Sequence, residues 1–341
     1  MTADTHAKPE RRRNRLRSAA CVLGWCALVL VTLWGVAALY VDVRAAALRV
    51  PLAVAYGLGM IAVWLWVRRP LKAIITAGGF VVVLLWWSSL QPSNDRDWQP
   101  DLAVLPYADI AGNEVTIHNI RNCDYRSETD YDVRHYDKTF HLDKLHTVDF
   151  YMVYWGSPAI CHTMLSFGFG DEGYACISIE TRKERGEGYS TIKGFFKQFE
   201  LTYVIADERD LVRLRTNYRG EQVHLYRLNT PSEVIRKVFL DYLKEVNSLK
   251  ERPEWYNALT SNCTSNIRGH TKPFAAKSRW SWKLVVNGYL DELTYDNGAL
   301  DRSLPLAELK QRSLINGRGQ AADKDPEFSR RIREGLPGFD P

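Results

Sequence analysis

Cysteine is scarce. Six occur in 341 residues, with no CxxC pair and no spacing of a known disulfide framework, which excludes a stapled mini-domain. Charge of one sign is scarce as well: the formal +5 comes largely from one N-terminal cluster, so nothing points to nucleic acid. There is no internal repeat, and 46% hydrophobic content excludes a disordered or low-complexity chain. His135, His141 and His146 are irregularly spaced, and the acidic stretch Asp124–Asp137 lacks the glycine of a calcium loop. Neither a metal nor another cofactor is therefore expected.

Long apolar runs are present, and all lie early. No charge interrupts Ala19–Val41, and two shorter runs follow, Pro51–Val67 and Ala73–Leu90. A spanning helix needs about 20 apolar residues. Trp64, Trp66, Trp86 and Trp87 sit at the run ends, where an interfacial belt would be. Three transmembrane helices are expected, at about 19–41, 51–67 and 73–90. Arg11, Arg12, Arg13, Arg15 and Arg17 precede the first run, and Arg68, Arg69 and Lys72 separate the second from the third. The positive-inside rule makes residues 1–17 a cytosolic tail and sends everything after Leu90 across the membrane, in a bacterium into the periplasm. Residues 91–112, polar and proline-rich at first, are read as a linker, 113–315 as the folded domain, and 316–341 as a loose tail.

Within the domain, Asn113–Asn119 alternates like a strand, and Asp124–Asp137 is read as a solvated loop. VDFYMVYW, CHTMLSFGF, a GDEG turn and YACISIET follow as strand, strand, turn and strand, with FFKQFELTYVIA and QVHLYRLN as two more. Thr230-Pro231-Ser232-Glu233 predicts a capping box with Pro at the first helical position. Ile235, Val238, Phe239, Tyr242, Val246 and Leu249 then recur at helical spacing. The fold class is α+β, an antiparallel sheet with helices packed on one side.

The candidate nucleophile is Cys263, which a cap from Thr260, Ser261 or Asn262 would place at a helix start, where the dipole favours a thiolate. The candidate base is His162, and the hairpin brings Glu180 opposite it as acceptor for the imidazole. Asn262, Tyr256 and Arg182 stand as supporting positions. The other reading is ordinary: a small packed thiol, an edge histidine and surface ion pairs.

The stretches YNALTSNCTSNI, SIETRKERGEGYS and FELTYVIADERDLVRLRT resemble the bacterial periplasmic domain family named for Lnb, a lipoprotein N-acylation transferase. The likeness runs from about Asn113 to about Pro305. It implies a circularly permuted papain-like fold of the NlpC type, in which the histidine strand precedes the cysteine helix, as His162 precedes Cys263. It also implies a Cys–His pair that takes an acyl chain from phospholipid as a thioester and passes it to a lipoprotein's N-terminal amine. Phospholipid, membrane and a lipoprotein acceptor are the expected partners; oligomeric state is left open. Here three spans precede the domain, and Cys161 stands unusually beside His162. A papain-like amidase of cell-wall peptide and a non-catalytic anchored binding domain are the competing readings.

Overall fold

Uncharged runs rich in Leu, Val and Ala satisfy their backbone only as helices once in lipid, and three such helices open the chain. The structure is a computed structural model. It describes residues 7–274 and 280–339, with side chains from residue 16 onward, so those of Arg11, Arg12, Arg13 and Arg15 lie outside the described residues. Helices α1 (Ala7–Asp42), α2 (Ala46–Trp66) and α3 (Leu71–Ser89) are each long and apolar enough to cross a membrane, α1 from Leu16 on. The second starts five residues before the expected Pro51, which it accommodates inside the helix. Trp87 Nε1 donates to Asp42 Oδ2 at 2.6 Å, and Trp34 packs edge-on against Phe80 and Trp87. Close approach fixes Gly35, where a Cβ would stand 2.9 Å from the Tyr56 ring. These helices, with Phe196–Gln198, form one compact unit; Pro92–Phe195 and Phe199–Pro341 form a second.

The second unit is built on a sheet. Its strands are β1 (Tyr107–Ala111), β2 (Glu114–Arg121), β5 (His135–His141), β6 (Thr147–Tyr154), β7 (Cys161–Gly168), β8 (Tyr174–Arg182), β9 (Glu200–Ala206) and β10 (Gln222–Arg227), and a separate ribbon joins β3 (Asp124–Tyr125) to β4 (Tyr131–Asp132). The order is β1-β2-β9-β8-β7-β6-β10, with β5 also on β2. All pairs are antiparallel except β2 with β9, which meet in parallel at Arg121 and Ala206. The helices are α4 (Glu208–Arg213), continued by a π turn at Leu214–Tyr218, then α5 (Ser232–Glu251), α6 (Cys263–Thr271), α7 (Leu290–Asp296), α8 (Leu306–Arg312), α9 (Asn316–Ala321) and α10 (Phe328–Arg331).

Alternation along β6 explains the layering. Phe150, Met152 and Tyr154 enter one core with α5 and Cys263, whereas Tyr151 and Val153 enter another with Leu211, Phe328 and Ile332. Every residue from Val148 to Tyr154 is buried, because both faces of the sheet are covered. Helices therefore pack on both sides, not one.

Three further expectations are corrected. The tail from residue 316 is not loose: Phe328 and Ile332 are fully buried, and Arg333 donates to Asp149 on β6. Residues 91–112 are not a free linker, since Trp98 and Leu102 are buried and Tyr107–Ala111 pairs with β2. Arg182 holds them, donating to Leu102 O, Ala103 O and Asn94 Oδ1 at 2.8–2.9 Å and stacking on Trp98. The acidic loop is solvated as read, with residues 126–130, 132–134 and 137 exposed, and only its base is packed. At its base Asp210 accepts two bonds from Arg121 and one from Cys123 N–H, over a buried Tyr125. On α5 the expected apolar stripe is buried as read. Its cap is not made: Pro231 occupies the N-cap position, and no side chain caps the helix.

Candidate active site

Helix α6 begins where the sequence supplies a reciprocal cap. Asn262 Oδ1 accepts from Ser265 N–H at 3.0 Å, and Ser265 Oγ accepts from Asn262 N–H at 2.8 Å. Cys263 is then the first helical residue, and its own N–H and that of Thr264 have no partner within the helix. The Asn262 amide donates to Ala258 O, so this side chain is engaged in shaping the turn.

His162 arrives from the neighbouring strand. The β7–β8 ladder starts only at Met164 opposite Ser178, which leaves His162 and Thr163 without strand partners on the β8 side. His162 Nε2 lies 2.7 Å from Ser178 Oγ and 3.2 Å from Glu180 Oε1, and the Ser178 hydroxyl donates to the same carboxylate oxygen at 2.6 Å. With its one proton directed at Glu180, Ser178 accepts from Nε2–H. Nε2 therefore carries a proton, and Nδ1 is the nitrogen left for the thiol. Arg215 Nη2 closes the chain on Glu180 Oε1 at 2.7 Å.

Asn287 ties the strand to the helix. It accepts from Cys161 N–H at 2.9 Å and donates to Cys161 O at 2.7 Å and Thr264 Oγ1 at 2.8 Å. The adjoining Gly288 packs so closely on the turn ahead of this strand that a Cβ would fall 2.1 Å from Pro158 O. Any other residue there would displace the turn that leads into the histidine strand.

Electrostatics follow from this geometry. Burial alone would raise the Cys263 thiol, but the hydrogen bond and charge of His162, with the hydroxyl and N–H of Thr163, lower it to about 7. Burial alone would depress His162; the charge of Glu180, and then the bond to Cys263, raise it to about 9. Burial opposes ionisation of Glu180 too, yet His162 and Arg215 hold it well below the usual carboxylate range. The lowered thiol and the raised imidazole both favour the thiolate–imidazolium form, the state a nucleophilic cysteine needs.

Cys263, His162 and Glu180 open on a cavity of about 870 Å³, which Asn262 and Tyr256 also line. Its wall carries Trp155, Ile160, Tyr189, Phe195, Leu259 and Val285, all between 42% and 62% exposed. Single exposed apolar side chains are ordinary, whereas a cluster on one cavity marks a surface with an apolar partner.

The structure thus brings together Cys263, His162, Glu180, Asn262 and Tyr256, and leaves Arg182 with the inbound segment. Ser178, Thr163, Arg215 and Asn287 join them. Ser178 and Arg215 lie inside the quoted stretches; Asn287 carries no local signal, because its partners are far away in sequence. All six cysteines are free thiols, and among the described residues no group of three or more His, Cys, Asp or Glu is placed to hold a metal.

Residues 131–291 match the family model of the Lnb N-terminal periplasmic domain. No curated protein and no solved structure matches the chain. Three span-length helices ahead of a stretch similar to this family fit a membrane-anchored periplasmic protein.

Proposed function

Taking residues 131–291 as an Lnb N-terminal periplasmic domain, we propose that this protein is a membrane-anchored cysteine acyltransferase. It takes an acyl chain from phospholipid and passes it to an amine such as a lipoprotein N-terminus. The observation that carries the reading is a lowered thiol opening on a cavity rimmed with exposed Trp, Tyr, Phe, Leu, Ile and Val. The wall also carries charged groups, Lys183, Glu187 and Arg219 among them, so it is the apolar rim that favours an acyl chain over a cell-wall peptide. The permuted papain-like arrangement, with histidine strand before cysteine helix, is part of the same proposal.

In the first half-reaction the Cys263 thiolate attacks the ester carbonyl carbon. The C–S bond forms, and the N–H groups of Cys263 and Thr264, unpaired within the helix, are the donors on offer to the developing oxyanion. The ester C–O bond breaks, and His162 gives its Nδ1 proton to the departing glycerol oxygen, releasing lysophospholipid. In the second half-reaction an amine attacks the thioester and His162 takes its proton. The C–N bond forms, the C–S bond breaks and the thiolate is restored. Glu180, Ser178 and Arg215 hold the ring and its charge throughout.

The Arg and Lys bias of the connectors supports a cytosolic N-terminus and a domain across the inner membrane. An alkaline phosphatase fused at Asp101 should be active and one at Arg69 inactive; the reverse pattern overturns this topology. For the chemistry, the full chain in micelles is incubated with phospholipid vesicles. Lysophospholipid release that is lost in Cys263→Ser supports the transferase, and no release by a folded protein counts against it.

A further inference from the structure

The catalytic cavity shares a wall with a second cavity of about 470 Å³, and Trp155, Arg219 and Glu221 belong to both. Arg215 stands in the same wall on the catalytic side. Its side chain is only 5% exposed and spends Nη2 on Glu180. The Nε–H groups of both Arg215 and Arg219 are buried without a hydrogen-bond acceptor. Glu221 does not serve them, since its oxygens stand 3.9 Å from Arg215 Nε and 4.0 Å from Arg219 Nη1, beyond hydrogen-bond range. Glu128 lies 3.1 Å from Arg219 Nε but makes no aligned bond with it.

Two guanidinium groups, Arg215 buried and Arg219 28% exposed, thus line the cavity that holds Cys263, each with an Nε–H that no acceptor satisfies. An anionic group rich in acceptor oxygens would satisfy them, and guanidinium matches phosphate in this respect better than any other side chain does. A glycerophospholipid carries such a group a few bonds from its ester carbonyls. We propose that the wall bearing Arg215 and Arg219 binds the phosphodiester of the donor lipid, setting the scissile ester over Cys263. This rests on the phospholipid-acyltransferase reading and adds which part of the lipid is recognised. Glu221 stands between the two arginines at ion-pair distance, 3.9 and 4.0 Å, and offsets part of their charge.

The test compares donors with and without phosphate on the full-length protein in micelles. Acylation of Cys263 is read by mass from a diacyl phospholipid, from the matching diacylglycerol, and from p-nitrophenyl butyrate, which has no headgroup. Wild type should prefer phospholipid over diacylglycerol by at least about tenfold, and Arg219→Gln should erase most of that preference. Arg219→Lys, keeping charge without the fork, should fall between. Equal use of both lipids by wild type, or a preference that survives in Arg219→Gln, overturns the headgroup site. An Arg219→Gln protein acylated as well as wild type by phospholipid but slow in passing the chain to an amine overturns it too, and assigns the wall to the acceptor. Acylation by p-nitrophenyl butyrate alone removes the lipid reading together with the site. No acylation of a folded protein by any of the three donors removes the transferase reading itself, and the proposal falls with it.

Discussion

Two clusters of buried charge sit in the second unit, and they are built for opposite ends. In one, Arg333 donates to Asp149 Oδ2 at 2.9 Å and to both oxygens of Glu208 at 2.6–2.7 Å. Tyr151 and Ser166 donate to Glu208 as well, and Arg227 pairs with Asp149. Glu208, Asp149 and Arg333 are all sealed from solvent. In the other, His162, Ser178, Glu180 and Arg215 form a chain that ends on a thiol and opens on a cavity. In the first, burial opposes ionisation of Glu208, and Arg333 nevertheless holds its carboxyl below the usual carboxylate range. The second holds a Cys–His pair whose ionisation has been moved to about 7 and about 9. Burial of charge therefore does not by itself mark a site; titratable partners facing a void do.

The largest expected effect lies on the open cluster. Cys263→Ser should cut acylation by at least ~10³-fold, because a hydroxyl ionises far less readily than a thiol. Its thermal unfolding should stay within a few degrees of wild type, since a similar group fills the same place.

On the sealed cluster the effect is on stability alone. Arg333→Met leaves Glu208 and Asp149 buried with too few partners, and unfolding in urea should show a loss of about 3–5 kcal/mol. Iodoacetamide should still alkylate Cys263 at the wild-type rate in the folded fraction. A large drop in that rate would mean the two clusters are coupled.

Glu180→Gln sharpens the contrast. Removing the charge lets burial lower His162, and a less charged imidazole stabilises the thiolate less. The Cys263 titration, read as alkylation rate against pH, should move from a midpoint of about 7 upward by roughly one unit or more, so that alkylation at pH 7 slows by about fivefold or more. A midpoint that does not move, or moves down, would show that Glu180 does not act through His162.

The smallest effect belongs to Ser178→Ala. The direct contact from His162 Nε2 to Glu180 at 3.2 Å survives, and one hydrogen bond is worth about 1 kcal/mol. Alkylation should slow by less than about fivefold.

Much of this was legible in the chain itself, and the reasons differ by region. Strands β6 to β10 and the stripe on α5 announce themselves through β-branched and aromatic runs and a 3.6-residue period, both local signals. The pairing of Glu180 with His162 was readable because a tight Gly turn fixes hairpin register. The packed tail was not, because Gly, Pro and charge there resemble a loose end. Phe328, Ile332 and Arg333 are stabilised by partners about 120 to 180 positions away. Arg182 was drawn to the site by its neighbours in sequence, yet it sits on the strand opposite Glu200 and serves the inbound segment. The capping box at Thr230 failed for a simple reason: Pro231 lies outside the helix, not in its first turn.

The most direct test of the central claim is the mass of the Cys263 peptide after the full-length protein meets phospholipid vesicles at pH 7.5. One acyl chain should be attached to Cys263 and be removed by hydroxylamine, and none should appear in His162→Ala. A Cys263 that iodoacetamide alkylates readily but that carries no acyl chain after prolonged incubation would contradict it.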